Sequence, residues 1–108
     1  MSSYSSRQRR LEIKDVGDVT VATFVDKRIL DEQEIEVIGD QLFSLVDDLH
    51  CRKVLLNFMV VEYLSGSALG KLITMQKKVS RADGKLVFCN VHPEIMEVLE
   101  ITSLNRTF

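Results

Sequence analysis

Two serines one residue apart, Ser65 and Ser67, flank Gly66 where an apolar run gives way to helical spacing. A hydroxyl at a strand-to-helix junction has two chemistries open to it. It can accept a hydrogen bond from a backbone N–H two or three residues on, capping the helix. Alternatively it can stand free as an acceptor for phosphoryl transfer. Phosphate at either serine would lie beside the positive end of the helix dipole, which favours an exposed anion by a few tenths to ~1 kcal/mol. Modification is therefore expected to leave the fold intact and to act by placing about two negative charges on a docked surface. The position of Ser65 suits a cap, whereas Ser67 reads equally as a first-turn residue and as an acceptor. Gly66 between them permits positive φ in a tight loop.

The other reactive side chains do not assemble into a site. Cys51 and Cys89 form no CxxC pair and have no His or Cys at metal-ligand spacing, so buried, reduced thiols in a cytoplasmic protein are expected. His50 and His92 are isolated, and His92 precedes Pro93 in what reads as a helix-entry turn. Gly66 and Gly70 followed by Lys71 imitate a phosphate loop poorly, lacking its first part and its hydroxyl. No nucleophile stands with a base and no cofactor fingerprint is present, so no catalytic residue, metal or cofactor is assigned. A net charge of -2 and the absence of Trp give no reason to expect nucleic acid. No apolar stretch has the length of a membrane span.

The elements that position the serines follow from periodicity. Leu11, Ile13, Val19, Val21 and Thr23 alternate on either side of Gly17 and Asp18, predicting a β-hairpin. Over residues 31–49 the period becomes helical, with Ile35, Ile38, Leu42, Leu45 and Leu49 in one stripe. Asp31 is placed as its N-cap and Glu34 as the back-bonding partner of a capping box. Gly39 costs roughly 1 kcal/mol in mid-helix or marks close packing. Residues 54–58 and 86–89 are compact apolar runs, the pattern of strands buried on both faces. A second helix spans residues 67–81, with Ala68, Leu72, Met75 and Val79 inward and Leu69 and Ile73 beside them; Asp83 and Gly84 end it. Pro93 opens a third helix at a position where its missing N–H costs nothing, with Ile95, Val98 and Leu99 inward.

The order β-β-α-β-α-β-α predicts one layered α/β domain with a mostly parallel four-stranded sheet that starts from an N-terminal hairpin. It occupies residues 11–108, after a polar, flexible arm over residues 1–10. That arm is rich in Ser and Arg but lacks the apolar face of an organelle presequence and is no signal peptide.

Residues 53–70, KVLLNFMVVEYLSGSALG, resemble the centre of the STAS family, in which a buried strand leads through a V-E-Y/F turn into a short Ser- and Gly-rich loop that opens a helix. The likeness runs from Leu11 to Phe108, and includes Gly84-Lys85-Leu86-Val87 and the closing Leu104-Asn105-Arg106-Thr107-Phe108. Within the family, the resemblance is to anti-sigma factor antagonists. In these, the first Ser of the loop is phosphorylated by a partner serine kinase that is also the anti-sigma factor. The unphosphorylated form binds that partner and frees the sigma factor; the phosphorylated form lets go. Aligned without gaps, the family's Asp falls on Ser65, its acceptor on Gly66, its second Ser on Ser67 and its next Gly on Ala68. Asn57 stands where the family often has Asp.

The resemblance therefore implies a cytoplasmic, non-enzymatic binding module in a partner-switching transcription pathway. Its partner would be an anti-sigma factor/serine protein kinase, contacted by Leu64, Ser65, Gly66, Ser67, Leu69 and Lys71. Ser67 and Ser65 are the phosphoacceptor candidates. A STAS scaffold or constitutive antagonist without a phosphoswitch is the alternative, motivated by Gly66, and a weak nucleotide-binding protein is a third reading. The first helix is acidic and the second basic, with Lys71, Lys77, Lys78 and Arg81. Taken alone each is a solvated face; by the resemblance Lys71, Lys77 and Lys78 become candidate contacts. The sequence does not fix the oligomeric state.

Overall fold

The computed structural model describes residues 10–101, with side chains to residue 99. The expected Leu104 to Phe108 segment and residues 1–9 of the expected arm lie outside the described residues. In chain order the elements are β1 (Leu11–Val16), β2 (Val19–Phe24), β3 (Arg28–Ile29), α1 (Glu32–Asp47), β4 (Lys53–Asn57), β5 (Tyr63–Leu64), α2 (Gly66–Arg81), β6 (Lys85–Cys89) and α3 (Pro93–Ile101).

The predicted hairpin forms, β1 pairing antiparallel with β2 around Gly17, which takes a φ of 65°. The main sheet has the order β1-β2-β4-β6, with β2, β4 and β6 parallel. The register stacks Thr20, Val54 and Leu86 in one row and Ala22, Leu56 and Phe88 in the next. All six are buried, and Phe58 continues the layer between Phe24 and Phe88, at ring-centroid distances of 4.8 and 5.5 Å. Such tilted and edge-on aromatic contacts each contribute about 0.5–1.5 kcal/mol beyond area burial.

Helices α1 and α2 pack side by side over this face. That explains one difference from the sequence reading. Strands β4 and β6 are covered deeply on one face only: Val54, Leu56, Leu86 and Phe88 are buried, whereas Leu55, Asn57, Val87 and Cys89 are half-buried. The thiols of Cys51 and Cys89 are likewise half-buried and free rather than fully enclosed. Cys51 Sγ accepts a hydrogen bond from Thr20 Oγ1 at 3.3 Å.

The apolar stripe of α1 is borne out from Ile35 to Leu45, and fails at Leu49, which is 64% exposed. The helix ends at Asp47; the chain then turns through His50 at φ 56°, and Cys51 N–H bonds to Leu45 O at 2.8 Å. In α3, Ile95 and Leu99 face inward as expected, while Val98 remains mostly on the surface. The His92 carbonyl accepts from Ile95 and Met96 N–H, each at 2.9 Å, and this forms the expected entry turn.

A second sheet escapes the sequence reading. The two-residue strands β3 and β5 pair in parallel, Arg28 opposite Tyr63 and Ile29 opposite Leu64. Each leads directly into a helix, so α1 and α2 begin next to one another.

Candidate functional site

The site is built on those two helix starts. Lys27 O accepts from the N–H groups of Glu62 and Tyr63, and Ser65 N–H bonds to Ile29 O at 3.0 Å. This short ladder brings Asp31 and Ser65, the two N-caps, to the same end of the helix pair.

Asp31 Oδ1 accepts from Gln33 N–H at 2.8 Å and Glu34 N–H at 3.2 Å, as the cap assignment predicts. Glu34 does not complete a capping box. Its carboxylate is instead 3.2 Å from Arg10 Nη2, while Arg10 Nη1 meets Asp26 at 3.3 Å. Arg10, the last residue of the expected arm, is thus tied to α1, and its backbone N–H reaches Gln41 Oε1 at 3.1 Å.

Ser65 has extended backbone angles, and its Oγ accepts from Ala68 N–H at 3.2 Å. The capping chemistry is therefore realised at this serine. Gly66 is the first residue of α2; it does not take positive φ, and a Cβ there would meet nothing within 4 Å. The expectation that Gly66 serves a left-handed turn is corrected: its φ is that of any L residue, and the surface beside it is open. Ser67 is exposed, and its Oγ donates to Glu32 Oε2 at 3.1 Å, joining the first turn of α2 to the first residue of α1.

The remaining candidates divide by burial. Leu64 and Leu69 are half-buried and pack against the core. Lys71 turns away from the loop: its stem crosses Gly39, its Nζ lies 3.1 Å from Glu36, and its side chain is 25% exposed. Lys78 pairs with Asp47 at 3.0 Å, and both ammonium groups lie over the ring of Phe43, at 5.9 Å for Lys71 and 5.2 Å for Lys78. The acidic and basic faces of the two helices are thus set against each other at two ion pairs, while Lys77 stays exposed.

Two other residues at this end were not singled out by sequence. Tyr63 is 49% exposed with the Arg28 guanidinium 5.6 Å from its ring centre, and Met59 is 65% exposed. Asn57 Oδ1 accepts from Met59 N–H and from Asn90 Nδ2, both at 3.0 Å, and so shapes the turn leading to β5. An exposed Met or Tyr in a short loop carries no periodic signal, whereas Asn57 is marked by its place in the family-like motif.

Among the described residues no cluster of three or more His, Cys, Asp or Glu could hold a metal ion. No helix among them is long and apolar enough to cross a membrane.

A parallel sheet opened by a hairpin, with a serine-capped helix rising from a short loop after the third of its four strands, is the arrangement of a STAS domain. The chain belongs to that family: the STAS domain model matches residues 10–108. A Planctomyces limnophilus anti-sigma-factor antagonist (STAS) domain protein is similar in structure at a TM-score of 0.77 and 28% identity, over 91% of this chain and 85% of that one. A Thermotoga maritima protein assigned as an anti-sigma factor antagonist gives 0.77 at 20% identity, over 92% and 83%. The phosphorylated form of the Bacillus cell fate determinant SpoIIAA gives 0.74 at 14% identity, over 90% and 86%. No curated protein sequence matches the chain.

Proposed function

We propose that this STAS domain is an anti-sigma factor antagonist-like binding module in a partner-switching transcription pathway, without enzymatic activity of its own and acting in the cytoplasm. It docks on an anti-sigma factor that is also a serine kinase, through the Ser65-Gly66-Ser67 loop and the exposed start of α2. The observation that supports this most directly is the loop itself. In a chain similar to several antagonists, Gly66 and Ser67 stand exposed at a helix start whose backbone is already fixed by the Ser65 cap.

A second reading has its own support. Position 66, where the family acceptor falls, has no hydroxyl, and this favours a constitutive antagonist or scaffold whose binding does not respond to ATP.

The test is to mix the purified chain with candidate anti-sigma kinases from the same genome, with and without ATP–Mg. Complex formation is read together with the phosphopeptide map of residues 53–71. A complex that forms without ATP supports docking. Phosphate on Ser65 or Ser67 with release of the partner means the switch has moved by one residue, and an ATP-insensitive complex means a constitutive antagonist. Gly66→Ser, which the open space at position 66 accommodates, should become a substrate if only the hydroxyl is missing. Absence of any complex removes this reading and leaves the fold standing.

A further inference from the structure

We propose that Glu32 is a resident negative charge of the docking loop, which opposes phosphorylation of Ser67 and holds the loop in a single charge state. This deepens the docking reading and rests on it for its biological meaning. Three positions could offer a hydroxyl at the start of α2, and each is accounted for. Ser65 Oγ is engaged by Ala68 N–H, and its residue is half-buried. Position 66 is open but carries no side chain. Ser67 is exposed, and its hydroxyl proton points at Glu32 Oε2, 3.1 Å away.

Phosphoryl transfer from a nucleoside triphosphate to Ser67 Oγ would replace the hydroxyl proton with the phosphoryl group, release that proton and leave the nucleoside diphosphate. The donor that satisfies Glu32 would vanish, and a group of about two negative charges would take its place beside the carboxylate. Asp31, the cap of α1, adds a second exposed carboxylate next to Glu32 in the chain. The dipoles of α2 and α1, which begin at the same end, favour phosphate here, but each dipole end amounts to about half a charge. Against them stands the full charge of Glu32, 3.1 Å from the Ser67 oxygen, with the exposed Asp31 next to it in the chain. The like-charge effect at Glu32 prevails.

The experiment needs no partner, so its failure is distinct from failure of the docking reading. Phosphoserine is placed at position 67 by genetic-code expansion, in the wild-type and the Glu32→Gln backgrounds. Thermal unfolding and a 31P NMR pH titration are then recorded at low salt. Modification is expected to lower the unfolding midpoint by about 2–4 °C in the wild-type background, and by less than half as much in Glu32→Gln. The phosphate's second ionisation is expected at higher pH in the wild-type background than in Glu32→Gln, because a neighbouring carboxylate disfavours the dianion. The same midpoint shift and the same titration curve in both backgrounds would overturn the proposal.

Discussion

The side chain of Lys71 on α2 lies across Gly39 on α1, so closely that a Cβ at position 39 would stand 2.8 Å from Lys71 Cδ. The glycine lets the lysine stem lie flat between the helices and deliver its ammonium group to Glu36 and Phe43. Gly39→Ala should therefore gain about 1 kcal/mol of helix propensity and lose much of it by displacing Lys71. In a Lys71→Ala background the full gain should appear. A double-mutant cycle by urea unfolding is expected to give a coupling of about 0.5–1.5 kcal/mol; additive effects would refute the contact.

Ser65→Ala removes the cap from α2 and should destabilise the domain by about 1 kcal/mol, whereas Ser65→Asp keeps an acceptor for Ala68 N–H and should hold most of that stability. Denaturant midpoints of the two variants decide it. Equal losses in both would mean that the hydroxyl does not act as a cap.

Two glycines, one at the start of α2 and one just past its end, should respond in opposite directions to alanine. A Cβ on Gly84 would collide with the backbone carbonyl of Arg52, which also accepts Lys85 N–H at 2.6 Å and so cannot move freely. Gly84→Ala should cost about 1–3 kcal/mol. Gly66→Ala enters open space in a helical residue and should stabilise by about 0.4–1 kcal/mol, largely by restricting the unfolded chain.

The Asp18 carboxyl is held below its usual range, first by the hydrogen bond from Lys53 at 2.7 Å, then by the lysine's charge and by its own backbone. A carboxyl depressed in the folded state stabilises above its unfolded pKa, and this contribution is lost as pH falls through the folded value. Wild-type protein should therefore lose more stability than Asp18→Asn on acidification below about pH 4. Both side chains are largely exposed, so the difference should be small and should shrink further as salt is added. Parallel curves for the two proteins at low salt would rule the contribution out.

What the sequence made legible was local. Asp31 and Ser65 could be placed as caps because a cap depends on its own residue and the next three. The hairpin followed from alternation, and the mostly parallel sheet from the order of helices and strands. Leu49 broke the stripe because periodicity does not register the left-handed turn at His50 that ends α1. Strands β3 and β5 are too short to alternate, and the contact between Glu32 and Ser67 depends on their pairing. The engagement of Lys71 with α1 was equally invisible, since charge patterns on separate helices do not reveal which faces meet.

The pairing of β3 with β5 has a kinetic consequence. Because Ser65 is bonded to Ile29 and the caps of both helices are already in place, the loop's backbone is held by its own hydrogen bonds before anything meets it. A partner that docks here would find its binding surface prearranged, with little ordering cost on association. Encounter would then resemble the joining of two rigid bodies. Its rate should follow diffusion and the local charge of Asp31, Glu32 and Arg28 more than any opening of the loop, and should fall or rise with salt according to the partner's sign.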